Sequence, residues 1–262
     1  MKTNIVIIFV TLVSATSAFS HLTYTNRDFG TLNPGSENTS VTKSGSISST
    51  FGWAYSTDAD YGDSHRNRAF RFTLATAGQI QLSAQSSGAG NILLPAISIY
   101  SGLAHIAPDS LDHDGTPLSI SYLNGLFGPD VAQGSFNALG DWAIGNEDIY
   151  NISGDATSSI AVPASLSHFS YMGNVADGTP ANYGSTTGIQ GDGHADGQVS
   201  AWFDLPAGDY TVMVGGAQMY SGSLPAGPYT SYPVNVTLSV IPEASVPLLF
   251  ALSTLGLAFR RR

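Results

Sequence analysis

Short runs of alternating apolar and polar residues dominate the chain. Phe70, Phe72 and Leu74 alternate with Arg71 and Thr73, and Ile80, Leu82 and Ala84 alternate with Gln79, Gln81 and Ser83. This two-residue period predicts strands with one face buried. Thr76-Ala77-Gly78 lies between the two runs and predicts a turn that makes them a hairpin. Ile97 and Ile99 follow Pro95 in the same rhythm. Further along, Val199, Ala201 and Phe203 alternate with polar residues, Leu205-Pro206-Ala207-Gly208 makes a turn, and Tyr210, Val212 and Val214 run back. Val234, Val236, Leu238 and Val240 form the last strand. One apolar and one mainly polar face per strand is the pattern of antiparallel sheets packed as a sandwich. No stretch keeps a helical period over three turns.

The rhythm weakens from about residue 103 to 165. This segment is rich in Gly, Pro, Asn and Asp, with apolar patches at Tyr122-Leu123 and from Phe136 to Trp142. A structureless loop of that length is unusual in a compact domain. It predicts short strands or single helical turns laid over one end of the sandwich, where a site is most readily elaborated. The segments Phe70 to Ser83 and Leu205 to Gly216 resemble jelly-roll modules of secreted bacterial proteins, such as those appended to exported peptidases. The expected fold is thus an all-β, jelly-roll-like antiparallel β-sandwich over residues 21–240 with long loops.

Both ends of the chain depart from this pattern. Lys2 precedes an apolar stretch from Ile5 to Val13, and Ser14 to Ser20 is small and polar. This is the layout of a secretory signal peptide over residues 1–20. Ala18 and Ser20 supply the small residues a signal peptidase requires, so cleavage leaves His21 first; cleavage after Ala18 would leave Phe19. At the other end, Ile241-Pro242-Glu243-Ala244-Ser245 is followed by an uncharged run from Val246 to Phe259 and then Arg260-Arg261-Arg262. As a helix with about 1.5 Å rise per residue, that run covers roughly 21 Å. This is short of the ~30 Å hydrocarbon core. The arginines favour the cytoplasmic side. The physics is that of a transient inner-membrane tether through 246–259, with a short helix.

Pro242-Glu243, the short apolar helix and the terminal Arg260, Arg261 and Arg262 resemble a PEP-CTERM sorting tail over residues 241–262. Ala244 stands where the family pattern usually has a second proline. The resemblance implies a Gram-negative bacterium that makes exopolysaccharide. It also implies processing near Pro242-Glu243 by an exosortase, a membrane-embedded cysteine transpeptidase, and delivery to the cell surface or extracellular matrix.

Composition narrows the function. The chain has no cysteine, which excludes a disulfide framework and thiol chemistry. Without Lys2, Glu243 and the three terminal arginines, the body keeps 5 basic and 18 acidic residues, a net charge of −13. That argues against nucleic acid or an anionic membrane as partner. Nearly all the acid is Asp, a turn residue. Motifs for a nucleophilic serine, a zinc protease, a phosphate loop or a dinucleotide site are absent. The composite expectation is a non-enzymatic structural, adhesive or exopolysaccharide-associated surface protein.

Three kinds of chemistry remain open. A mature N-terminal His21 could chelate copper through its amine and ring, with His65, His105 or His113 completing a three-nitrogen site; this histidine-brace arrangement would make the protein a copper carrier or copper-dependent oxidoreductase. Asp58, Asp60 and Asp63 cluster as hard oxygen ligands for calcium. Asp192-x-His194-x-Asp196-Gly197 resembles the start of a calcium loop, but the twelfth position, where a bidentate Glu belongs, is Phe203. Arg66, Arg68 and Arg71 form a basic cluster beside these acids, read as internal salt bridges. Finally, Trp53, Trp142, Trp202 and the 12 tyrosines could stack on sugars in a carbohydrate-binding module. Trp202 lies on the polar parity of its strand, so it is the tryptophan expected at the surface.

Overall fold

The computed structural model describes residues 22–35, 39–54, 61–64, 66–88, 93–104, 112–114, 135–146, 167–183, 187–218 and 230–240. The signal peptide, Asp58, Asp60 and the whole 241–262 tail lie outside the described residues. Among those described, no helix is long and apolar enough to cross a membrane.

The alternating runs become strands. In chain order they are β1 (Asp28–Leu32), β2 (Thr39–Ile47), β3 (Tyr61–Asp63), β4 (Arg68–Leu74), β5 (Gly78–Ser86) and β6 (Pro95–Ser101). Next come β7 (Asp112–Asp114), β8 (Ser135–Asn137), β9 (Trp142–Asn146) and β10 (Ser167–Ala176). A single helical turn, α1 (Pro180–Tyr183), precedes β11 (Gln198–Leu205), β12 (Gly208–Gly216) and β13 (Tyr232–Val240). A seven-stranded sheet has the order β1-β4-β12-β6-β10-β9-β7 and a four-stranded sheet the order β11-β5-β13-β2, with β3 and β8 paired apart. β1 joins β4 in parallel; the other ladders are antiparallel.

The main core lies between the two large sheets. Phe70, Phe72 and Leu74 of β4, Val212 and Val214 of β12, and Ile97 and Ile99 of β6 meet Ile80 and Leu82 of β5, Phe203 of β11 and Val236 and Leu238 of β13. Every one is on the apolar parity that the sequence marks out.

Two expectations about neighbours are corrected. β4 and β5 do not form a hairpin, since β4 pairs with β12 in one sheet and β5 with β11 and β13 in the other. The turn between them is an arch that carries the chain from sheet to sheet. β11 and β12 form a second arch of the same kind. An arch lets the apolar faces of successive strands oppose each other across the core, which a hairpin places side by side. Hydrogen bonds fix both corners. Ala75 N–H donates to Leu32 O at 2.9 Å, and the buried Tyr210 hydroxyl donates to Pro206 O at 2.6 Å, four residues back.

The middle of the seven-stranded sheet is also covered on its other face, so β6 and β12 are buried on both sides along most of their length. A second cluster there joins Trp53, Ala96, Tyr100, Met213, Trp142 and Phe169. The described part of the weakly patterned segment builds that cover: Ser98 Oγ donates to Ala138 O at 2.7 Å and Trp142 stacks on Phe169 with centroids 4.4 Å apart. It therefore packs on a sheet face and extends its edge, where the sequence suggested one end.

Candidate functional site

The four-stranded sheet keeps one face open. Its outward positions are Ser40, Thr42, Ser44 and Ser46 on β2, Asn235, Thr237 and Ser239 on β13, Gln79, Gln81, Ser83 and Gln85 on β5, and Gln198, Ser200, Trp202 and Asp204 on β11. Small hydroxyls pair across strands: Ser40 with Ser239 at 2.9 Å, Thr42 with Thr237 at 2.8 Å, and Ser44 donating to Asn235 at 2.8 Å. Such cross-strand pairs stabilise a sheet without charge. Gln81 donates to Ser200 at 2.9 Å and Gln79 to Asp204 at 3.0 Å. Asp204 is the single charge among these outward strand positions.

Trp202 is 44% exposed on this face, while Trp53 and Trp142 are buried. The parity argument thus locates it correctly. Its strand partner is Gln81, and the register sets Ser200 beside Ser83 and Gln198 beside Gln85.

Those four polar residues floor an open groove of about 390 Å³. Asp192, His194 and Asp196 form its wall. The wall belongs to the segment 187–197, which leads into β11. It is held down by backbone bonds, Ala176 N–H to Gln190 O at 2.9 Å and Gly193 N–H to Gly178 O at 3.0 Å. Gly188, Gly193 and Gly197 take φ near +90° here, a conformation that costs glycine least. Asp192 Oδ1 accepts the N–H groups of Gly178 at 3.0 Å and His194 at 3.1 Å. Beneath the loop, the buried Asp177 accepts the N–H of Asp196 at 3.1 Å and of Gly197 at 2.6 Å. Burial raises the Asp177 carboxyl to about 6, with the charges of Asp192 and Asp196 adding to the rise and the two N–H donors opposing it. Burial, with the charges of Asp192 and Asp177 adding to it, pushes the Tyr183 phenol well up.

The other sequence candidates are dispersed or undescribed. Asp63 is buried and its carboxylate takes Arg66 Nε at 2.8 Å, the internal salt bridge expected of the basic cluster. Arg71 Nε donates to Asp28 at 2.7 Å, and Arg68 donates to Asn67 O at 2.7 Å. His113 lies in β7, opposite Gly145 of β9. His21, His65 and His105 fall outside the described residues. Among the described residues, no three His, Asp or Glu side chains converge on a point that could hold a metal ion. His168 and His194 are both exposed and far apart in the fold's connectivity, on β10 and on the groove wall.

Comparison with known proteins places two structures beside this one. CorA, a surface-associated copper-binding protein important in copper acquisition by Methylomicrobium album BG8, is 17% identical over 81% of this chain and 98% of its own, with a TM-score of 0.48. The secreted protein MopE of Methylococcus capsulatus, in which an oxidised tryptophan facilitates copper binding, is 16% identical over 82% of this chain and 87% of its own, with a TM-score of 0.44. No protein-family model and no curated protein sequence matches the chain.

The wall residues Asp192, His194 and Asp196 lie in the stretch that resembles the start of a calcium loop, whereas no motif singles out the floor residues. Ser83, Gln85, Gln198 and Ser200 do carry a signal, since all sit on the polar parity of their strands. What the sequence lacks is any mark that β5 and β11, more than a hundred residues apart, lie side by side.

Proposed function

We propose that this chain is an exported, non-enzymatic β-sandwich protein of a Gram-negative cell surface or matrix. An exosortase-type system would sort it, and exopolysaccharide would be its surroundings. The observation that carries this reading is where the fold starts and stops. Leu22 and Tyr24 are already buried, and β13 pairs through Val240. Every described strand of the sandwich lies between the expected cuts at Ser20-His21 and Pro242-Glu243, which supports cuts at both places that spare these strands. Calcium bound by Asp58, Asp60 and Asp63 is not part of this proposal, because Asp63 is already engaged by Arg66.

The test is fractionation of a host with and without its exosortase. With the enzyme, the chain should reach the surface or medium with His21 first and the tail removed. A Glu243→Ala variant should stay in the inner membrane. Equal release of the variant, or of wild type in the exosortase-free host, would overturn the sorting assignment.

A second reading is copper binding by the mature N-terminus. Copper is the metal bound by both proteins compared above; the reading itself rests on this chain's own residues. The Tyr24 hydroxyl bonds Thr211 Oγ1 at 2.6 Å and accepts the N–H of Ala104 at 3.1 Å. Tyr24, three residues after His21 in the sequence, is thereby tied to Ala104, the residue before His105. His21 would supply amine and imidazole nitrogen, which suit copper. Copper titration of the processed chain should give an affinity that falls in His21→Ala by at least the ~10–100-fold that loss of a mere outer-shell partner costs. Equal affinities in the two would end this reading.

A further inference from the structure

We propose that the open face of the four-stranded sheet binds a neutral, hydroxyl-rich polysaccharide, with Trp202 as stacking platform and the adjoining groove as hydrogen-bonding subsite. This deepens the matrix reading above and rests on it for the source of the polymer.

Three observations converge on this surface. The first is Trp202 itself. Among the described residues only Met172 and Trp202 are large apolar side chains left exposed. An indole carries a wide apolar face with a polar N–H edge, which matches the C–H face and hydroxyl rim of a pyranose ring. It stands on the open face of the sheet between Ser200 and Asp204 and opposite Gln81, with 44% of its surface exposed.

The second is the groove. Ser200 is two residues from Trp202 on the same face of β11, about 7 Å away by strand rise. The cavity there, about 390 Å³, falls within the ~300–1,000 Å³ of small-ligand sites. Ser83 and Gln85 offer neutral donors and acceptors from the floor. Asp192 and Asp196 face them from the wall. Carboxylates accept hydroxyl donors in short charge-assisted bonds, and sugars are dense in such donors.

The third is charge. No lysine or arginine lies on the outward positions of these strands or among the groove residues, where His194 stands with the carboxylates of Asp192, Asp196 and Asp204. A uronate, sulfated or phosphorylated polymer would meet uncompensated like charge, and that repulsion selects against it. The hydroxyl and amide rows across β13 and β2 continue the same uncharged surface away from the groove. A shallow open site binds each sugar weakly, and a polymer that engages it repeatedly gains by effective concentration. A polysaccharide fits this geometry better than a free sugar.

Affinity electrophoresis of the full chain tests the proposal, in gels cast separately with hydroxyethylcellulose, galactomannan, dextran and, as the anionic probe, alginate. At least one neutral polymer should retard the protein and alginate should not. Trp202→Ala should weaken the retardation about tenfold or more, the loss of one aromatic stack, while Trp202→Phe keeps part of it. The effective neutral polymer should also shield Trp202 fluorescence from iodide, since the other two tryptophans are buried. Retardation by none of the three neutral polymers would overturn the proposal. So would equal retardation of Trp202→Ala, or alginate retarding as strongly. Sorting is read separately by fractionation, and Trp202→Ala should still reach the surface, so failure of one assignment is distinct from failure of the other.

Discussion

The carboxylate of Asp177 accepts the backbone N–H of Gly197 at 2.6 Å, tying the end of β10 to the start of β11. With its second oxygen on Asp196 N–H, this one side chain holds the groove wall against the sandwich. Its pKa is raised to about 6, so the folded state binds this proton more readily than the unfolded state does. The stability this group contributes is full below pH ~4 and is lost as pH rises through about 6. Asp177→Asn removes the titration. The melting temperature of wild type relative to the variant should therefore fall between pH 4 and 6 and stay level above. A difference that is flat, or that rises over this interval, would refute the assignment.

Trp53 and Ser98 give a second prediction. Trp53 Nε1 donates to Ser98 Oγ at 2.8 Å, and Ser98 donates on to Ala138 O at 2.7 Å. The relay is buried and pins the covering segment to β6. Ser98→Ala strands a buried N–H and weakens the hold on a carbonyl, at a cost of about 2 kcal/mol. Urea unfolding should show a lower midpoint with an unchanged slope.

Two glycines should respond differently to alanine. A Cβ on Gly216 would run into the Thr50 carbonyl and lie 2.7 Å from Phe51 N. Backbone cannot swing aside as a flexible side chain can, so Gly216→Ala should destabilise by about 3 kcal/mol. Gly193 has φ +91° and open space around the added carbon. Gly193→Ala should cost only the left-handed conformation, about 1 kcal/mol. Thermal melts of the two variants would check the ordering.

Neighbours on β11 separate packing from binding. Phe203 points into the core and Trp202 out of it. Phe203→Ala should destabilise by about 3 kcal/mol, whereas Trp202→Ala should stay within about 0.5 kcal/mol of wild type. Circular dichroism melts of both would show whether Trp202 is free to serve a ligand. A large loss in Trp202→Ala would mean it is a packing residue.

Alternation by itself determined which side chains go inside. From Phe70 to Leu74, Ile80 to Ala84 and Val234 to Val240, apolar parity marks the core and polar parity the outer face, because successive strand residues must point to opposite faces. The same rule placed Trp202 outside. Composition by itself left no cysteine for thiol chemistry. Tertiary structure alone decided the company each strand keeps. A period of two says nothing about whether a strand's next neighbour lies beside it or across the core, so β4-β5 and β11-β12 read equally well as hairpins and as arches. Long-range packing chose arches, buried the polar-parity face of β6 under a distant segment, and brought Ser83 against Ser200 with Asp177 holding the loop above. The groove exists because of those pairings, and pairing energy is shared between segments that no local pattern connects.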